Sequence, residues 1–175
     1  MLLICKDGLL PLSKALISGR IKSSVALTDN IQNAMGTAGS LYSGTYGWQA
    51  ALYPGADMLI LNVPVSIGAQ QQYVMNTISG AWARFKGWAA NCFELYNGDM
   101  YMGGSGSTYK IWSTQADNGA NINAEAMQAF HYFGSRSSLK EFTLARPLVA
   151  LSNTTGAGFK FGLNTDFDVA PPYGV

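Results

Sequence analysis

Two stretches of this sequence have the same plan: WQAALYPGADMLILN at residues 48–62 and CFELYNGDMYM at residues 92–102. In each, an apolar run is followed by a turn and by a second apolar run that opens with Asp-Met, at Asp57 and at Asp99. The copies lie about 40 residues apart, and a period of about 40–50 residues built from four short strands is typical of β-propeller blades. Since a blade cannot bury both faces alone, the repeat predicts stacked antiparallel sheets.

The predicted fold class is all-β, with at least two four-stranded, propeller-like antiparallel meanders, a short N-terminal helical segment and a C-terminal β-meander. Period-two alternation begins at Trp48, and Asn97-Gly98 is a strong hairpin signal in the second blade. The strands expected in the first blade are residues 48–53, 57–62, 72–77 and 82–85. The fourth strand of the second blade is expected at residues 122–133, and two strands of the C-terminal meander are expected at 139–151 and 159–167.

Three parts are expected along the chain. Residues 1–47 supply a strand and a short helix that complete a preceding blade, residues 48–133 form the two blades, and residues 134–175 form the C-terminal meander and an extended tail. Within the first part, the helix is predicted at residues 30–35, capped by Thr28 or Asp29 and ended by Gly36, with a loop after it.

Two blades are too few to close a propeller, because each blade needs a neighbour on both sides. Met1 leads directly into a strand. We therefore expect the chain to be a C-terminal piece of a larger propeller, or an open fragment that completes itself by association. Exposed sheet edges and apolar faces would then drive formation of a homo-oligomer, most simply a closed ring.

Composition excludes several classes of protein. Only 12% of the residues are charged, about half the usual share, and the formal net charge of +1 gives no electrostatic argument for nucleic acid or membrane as a partner. No apolar stretch is long enough to span a bilayer. Cys5 and Cys92 both lie in apolar runs, which favours two buried free thiols over one disulfide. Without a Cys/His cluster, we expect no metal and no cofactor.

Several longer strings resemble tail proteins of tailed bacteriophages and prophages. They are YVMNTISGAWARFKGW at residues 73–88, FELYNGDMYMGG at 93–104, AFHYFG at 129–134 and LKEFTLARP at 139–147. The family they resemble is the podovirus-type, propeller-bearing tail nozzle and packaged-DNA stabilisation family. The resemblance implies a structural virion protein of the tail, assembled in the host cytoplasm. It also implies a ring of identical subunits that contacts other tail or head-tail adaptor proteins and plugs or conducts the double-stranded genome.

Residues that suggest catalysis have simpler explanations. Asp57 and Asp99 occupy equivalent turn-to-strand corners, which Asp favours, so a glycosidase pair is disfavoured. His131 lies in an aromatic stretch with no nucleophile at a recognisable spacing. The glycine-rich residues 103–106 lack the following helix and the Lys-Ser/Thr pair of a phosphate loop, so we expect a hairpin turn. We predict that the protein is not an enzyme.

Aromatic and basic side chains are the remaining candidates for functional sites. Packing between blades or between subunits is expected for Trp82, Phe85, Trp88, Trp112, Phe130 and Tyr132. Trp82→Ala is predicted to cost about 3–5 kcal/mol if the ring fills the gap between the blades. The basic residues that could face a DNA-conducting lumen are Arg84, Lys86, Arg136, Lys140 and Arg146, although ordinary surface positions explain them equally well.

A second function class remains open, a carbohydrate- or receptor-binding propeller module. Its aromatic groove would use Trp48, Trp82, Trp88, Trp112, Tyr53, Tyr96 and Tyr101. A propeller glycosidase is a third and weaker hypothesis.

Overall fold

A computed structural model describes residues 1–5, 8–16, 26–114, 116–117, 119–149 and 158–169. The chain divides into two compact units, Met1–Ile122 and Asn123–Val175. Within the described residues, the regular elements of the first unit are β1 (Leu2–Cys5), β2 (Gly8–Pro11), α1 (Leu12–Ala15), a 3-10 turn (Asp29–Ile31), α2 (Gln32–Tyr42), β3 (Gln49–Tyr53), a second 3-10 turn (Pro54–Ala56), β4 (Met58–Ser66), β5 (Ala69–Asn76), β6 (Trp82–Lys86), β7 (Cys92–Tyr96), β8 (Asp99–Gly104) and β9 (Ser107–Lys110). The prediction of a mostly β protein with antiparallel sheets and a short helical segment is confirmed.

These strands form three antiparallel sheets. β1 and β2 make a hairpin, β3 to β6 make a four-stranded meander (the first sheet), and β7 to β9 make a three-stranded meander (the second sheet). The repeated sequence motif is the first hairpin of each sheet, Tyr53 pairing with Met58 and Tyr96 with Asp99. No closed propeller is present among the described residues.

The first sheet is covered on both faces, which explains the long buried run in β4. One face packs on α2 through Met35 and Ala38 of the helix and Leu61, Val63 and Tyr73 of the sheet. The other face packs on the second sheet, and we call it the inner face. The core there contains Tyr53, Met58, Ile60, Val74, Ala90, Phe93, Met100 and Ile111. Successive side chains of a strand point to opposite faces, so β4 supplies both cores.

A row of three amides crosses the inner face of the first sheet. Gln49, Asn62 and Gln72 lie side by side on β3, β4 and β5. Gln72 Nε2 donates to Asn62 Oδ1 at 2.9 Å, and both Asn62 and Gln72 are fully buried. We call these three residues the amide row.

The amide row binds the backbone that leads into the second sheet. Asn62 Nδ2 donates to the carbonyls of Gly47 and Ala90, each at 2.9 Å, and Gln72 Nε2 donates to the Trp88 carbonyl at 3.2 Å. Gln49 makes two bonds of 2.7 Å with Phe93, accepting from its N–H and donating to its carbonyl. Because unpaired buried polar groups are costly, these bonds fix residues 88–93 against the first sheet.

Helix α2 differs from the sequence prediction. It runs to Tyr42, well past Gly36, and the residues predicted as a loop include its last turns. Met35 and Ala38 are each 2% exposed against β4, and this burial outweighs the cost of about 1 kcal/mol per glycine in a helix. Thr28 does not cap the helix; its buried Oγ1 accepts a hydrogen bond from the Leu9 N–H at 3.1 Å instead.

The prediction of a fourth strand at residues 122–133 is wrong. In the first sheet, Asn76 Oδ1 accepts bonds from the N–H groups of Ile78 and Ser79, which makes the tight turn from β5 to β6. At the corresponding place after β9 the chain has Trp112, which has a left-handed φ of 59°. Trp cannot make the turn that Asn76 makes, so the chain leaves the sheet there.

The predicted C-terminal meander is also wrong for the described residues, since residues 139–149 and 158–169 contain no strand. The remainder of the strand predicted at 139–151 lies outside the described residues. Alternation of apolar side chains indicates which side of a segment is buried in a sheet, but a strand forms only where a neighbour takes its backbone hydrogen bonds.

Trp82 is not between the two sheets, where it was expected. It lies on the face of β6 that is turned towards α2 and packs against the core formed by α2 and β4. Its Nε1 donates to the Leu27 carbonyl at 3.2 Å, which ties the edge strand β6 to the segment before α2. Because side chains alternate between the two faces along β6, Phe85 lies on the inner face instead.

Trp82→Ala is still expected to destabilise the protein, by about 3 kcal/mol, at the low end of the range for a large aromatic residue because Trp82 is only half-buried. Trp82→Phe is the matched control and should cost about 1 kcal/mol, the contribution of the lost hydrogen bond. Urea unfolding followed by circular dichroism measures both. Equal costs for the two variants would contradict the packing role.

Candidate functional site

Four aromatic rings join the two sheets at one end of their shared core. Phe85 meets Trp88 edge-on, with ring centroids 5.4 Å apart, and stacks on Trp112 at 6.3 Å with an interplanar angle of 6°. Trp88 continues to Phe93 at 6.3 Å. Phe85 and Trp88 pack against the inner core, whereas Trp112 is 55% exposed. Three of the predicted packing residues thus form one cluster, and its outer ring faces solvent.

Phe130 and Tyr132 lie in the second unit, and the rings of both pack near the ring of Phe167. Their rings are 5.1 Å and 5.9 Å from that of Phe167. The Arg136 guanidinium lies 4.6 Å from the centre of the Tyr132 ring, a cation–π contact. These contacts place Phe130, Tyr132 and Arg136 in one aromatic cluster, which is partly exposed.

The other basic candidates fall into two groups. Arg84 and Lys86 share the α2-facing side of β6, and both are exposed. Lys140 and Arg146 are exposed and lie outside regular secondary structure in the second unit. The structure therefore brings Arg84 and Lys86 together, and it does not join Lys140 or Arg146 to a shared cluster.

Arg84 borders a groove of about 420 Å³ between α2 and the β5–β6 hairpin, which also includes Asn33, Thr37 and Tyr73. Burial raises the pKa of the Tyr73 hydroxyl, and the nearby Arg84 charge partly offsets this. The groove presents hydroxyl, amide and guanidinium groups without an acidic residue in its lining. It has hydrogen-bond donors but no group suited to acid–base chemistry near neutral pH.

The residues considered for catalysis occupy turn, strand and loop positions. Asp57 has a left-handed φ of 50° at the end of the 3-10 turn, whereas Asp99 begins β8 and forms an ion pair of 2.7 Å with Lys110. This hydrogen bond raises the pKa of the Lys110 ammonium. His131 Nδ1 accepts from the Phe133 N–H at 2.8 Å. Among the described residues, no three His, Cys, Asp or Glu side chains form a metal-binding group.

Cys5 and Cys92 are both free, but the expectation that both are buried is wrong: Cys5 is only partly buried and Cys92 is exposed. Cys92 lies on the outer face of β7 beside Gly103, opposite the face that carries the buried Phe93. In the described part of the chain, no helix has the length and apolar character needed to cross a membrane.

The second sheet has an open edge at β9. Among the described residues no strand pairs with the side of β9 that faces away from β8, and all four residues of β9 are exposed. Tyr109 is 47% exposed on the face that continues the inner core. An uncovered edge of this kind is a template for pairing with another strand.

The second unit exposes many large apolar side chains. The exposed ones in its described residues are Met127, Tyr132, Phe133, Leu139, Phe142, Leu144, Leu148, Val149, Phe159, Phe161, Leu163, Phe167 and Val169. Large exposed apolar areas mark contact surfaces. The open edge and these residues are the candidate assembly surfaces.

Sequence reasoning missed the amide row. Asn62 interrupts the apolar run of β4, and a polar residue at a position predicted to be buried was the available signal. Gln72 carries no such signal because it follows Gln70 and Gln71, and Gln49 carries none because it is the first residue of its strand.

No family model, no curated protein and no solved structure matches this chain.

Proposed function

We propose that this chain is a structural subunit of a bacteriophage or prophage tail, a nozzle or genome-stabilising component that acts through subunit contacts and catalyses no reaction. The observation that carries the proposal is the combination of an open β9 edge with a second unit rich in exposed apolar side chains. Both features are costly in an isolated monomer and are relieved when copies assemble. The resemblance of residues 73–88, 93–104, 129–134 and 139–147 to tail proteins supplies the virion context.

Identical subunits that join through different surfaces form either a closed ring or an open filament. A tail component of defined length requires closure, so we propose a ring that contacts other tail or head-tail adaptor proteins. Arg84, Lys86, Arg136, Lys140 and Arg146 are proposed to face its lumen. A conduit for double-stranded DNA must not hold the phosphates tightly, and a formal charge of +1 per chain is compatible with this requirement.

Electron microscopy of the purified protein tests this proposal. Rings with a central opening are expected, together with weak, salt-sensitive binding of double-stranded DNA. Double replacement of Arg84 and Lys86 with Gln should leave the rings intact and reduce the DNA binding further, because each cation lost removes one phosphate contact. Isolated small particles at every protein concentration would refute the ring.

A carbohydrate- or receptor-binding module is the second candidate, and one observation favours it. Trp112 presents an exposed ring that is held flat on Phe85, and it has a left-handed φ of 59°, which is unusual for a bulky residue. Exposed, oriented aromatic rings can stack on sugars. Retention of the protein on a glycan array, lost in Trp112→Ala and kept in Tyr96→Ala, would support this function over the structural one.

A further inference from the structure

The groove between α2 and the β5–β6 hairpin has a volume of about 420 Å³, which is within the range of small-molecule sites. Tyr73 and Arg84 lie opposite each other in the register of β5 and β6, so their side chains are neighbours on the same face of the first sheet. Helix and hairpin each supply part of the lining, which consists of Asn33, Ala34, Thr37, Ala38, Tyr42, Gln71, Tyr73 and Arg84.

The Tyr73 hydroxyl is available as a hydrogen-bond donor in this groove. Tyr73 is 7% exposed, and its hydroxyl oxygen accepts a hydrogen bond of 3.4 Å from Gln71 Nε2. A tyrosine hydroxyl donates one hydrogen bond in addition to those that it accepts. Burial raises the pKa of this hydroxyl, and the nearby Arg84 charge offsets that rise in part. The hydroxyl therefore keeps its proton near neutral pH and can donate it to an oxygen of a ligand.

The positive charge at the groove has no acidic neighbour. Lys86 lies opposite Gln71 in the same register, on the same face of β6 as Arg84. Neither Arg84 nor Lys86 forms an ion pair within the described part of the chain. The lining of the groove contains no Asp or Glu. Two cations beside hydroxyl and amide groups, without a carboxylate, favour a ligand that carries negative charge.

We propose that this groove binds the phosphate group of a small phosphorylated molecule. A phosphate monoester carries about 1.5 to 2 negative charges near neutral pH and has three acceptor oxygens, which suits two cations and a hydroxyl donor. The Arg84 guanidinium pairs with two of these oxygens through parallel N–H groups, and the Tyr73 hydroxyl donates to the third. The site goes beyond the proposed function, because one chain supplies all of its residues and binding does not depend on assembly.

Calorimetric titration of the whole chain at constant ionic strength tests the class of ligand. The probes are adenosine 5′-monophosphate, inorganic phosphate, adenosine and acetate. We expect the monophosphate and inorganic phosphate to bind at one site per chain. Adenosine lacks the charge, and acetate has one charge and two oxygens, so both should bind at least about tenfold more weakly. Acetate or adenosine that binds as tightly as the monophosphate would overturn a phosphate site.

Two substitutions test the assigned donors. Arg84→Gln should weaken binding of the monophosphate by about tenfold or more, because a hydrogen bond to a charged group is lost. Tyr73→Phe keeps the ring in the core and removes only the hydroxyl, so it should weaken binding by about threefold to tenfold. Arg146→Gln is the matched control, since it removes the same charge from an exposed position of the second unit. Its affinity for the monophosphate should be unchanged.

Nuclear magnetic resonance of the whole chain locates the bound phosphate. Addition of inorganic phosphate should shift the Arg84 Nε–H signal and the backbone amides of Thr37 and Tyr73, and these shifts should be absent in Arg84→Gln. Equal shifts at exposed Lys and Arg residues throughout the chain would overturn the site. Equal affinities of Arg84→Gln and Arg146→Gln would overturn it as well.

Duplex DNA is the other source of phosphate groups and is a separate arm of the titration. Each phosphate of the duplex carries one charge, so DNA at the same phosphate concentration should not displace the bound monophosphate. DNA that binds more tightly than the monophosphate, with both lost in Arg84→Gln, would overturn the small-molecule ligand and make DNA the source. Oligomeric state is measured separately, so failure of this site leaves the proposed structural role intact.

Discussion

Asn62→Ala is expected to destabilise the protein by about 3–5 kcal/mol, because three partners in or beside the core each lose a hydrogen bond at once. Asn62 Nδ2 donates hydrogen bonds to the Gly47 and Ala90 carbonyls, and Asn62 Oδ1 accepts one from Gln72. Alanine can serve none of them, and the Gln72 Oε1 atom already has no partner in the structure. Urea unfolding followed by tryptophan fluorescence measures the change, since Trp88 lies in the segment that the amide row binds.

Gln70→Ala is the matched control for Asn62→Ala. Gln70 is an amide on β5, two residues before Gln72, and its Nε2 donates to Asn91 Oδ1 at the surface. Its loss should cost less than about 1 kcal/mol, since water replaces a surface bond at little cost. A similar cost for both substitutions would mean that the amide row does not fix the second sheet.

Gly104→Ala is expected to cost about 3 kcal/mol or more through a backbone clash. A Cβ at Gly104 would overlap with the Ala89 carbonyl oxygen and lie 3.0 Å from its carbonyl carbon. These are backbone atoms of the segment that the amide row binds, so they cannot rotate away. Either the second sheet shifts or the bonds to the amide row break.

Gly36→Ala is the control, and it is expected to change the free energy of unfolding in the opposite direction. A Cβ at Gly36 has no neighbour within 4 Å, and Gly36 lies inside α2. Alanine is expected to stabilise the protein there by about 0.5–1 kcal/mol, the difference in helix propensity. If Gly104→Ala were as well tolerated as Gly36→Ala in thermal unfolding, the close packing of the second sheet on residues 88–91 would be wrong.

The first sheet could be predicted from sequence because its local signals agree. Apolar alternation, the Pro54-Gly55 turn and the Asn76 turn all point to the same four strands, which the structure contains. The hairpin at Asn97-Gly98 was equally clear, and both residues have a positive φ.

The sequence predictions that were wrong concern features that depend on tertiary contacts. Gly36 indicates the end of a helix by propensity, yet α2 continues because its apolar face is buried on β4. Residues 139–149 and 158–169 alternate like strands but contain no strand in the structure. Trp82 was placed between the sheets because it is large, although only the register of β6 decides which face it occupies.

Assembly through the open edge is tested most directly by sedimentation equilibrium of the purified protein over a wide range of concentrations. One closed oligomer of fixed subunit number, present down to low micromolar concentration, is the expected result. A monodisperse monomer at high micromolar concentration would contradict the proposed structural role.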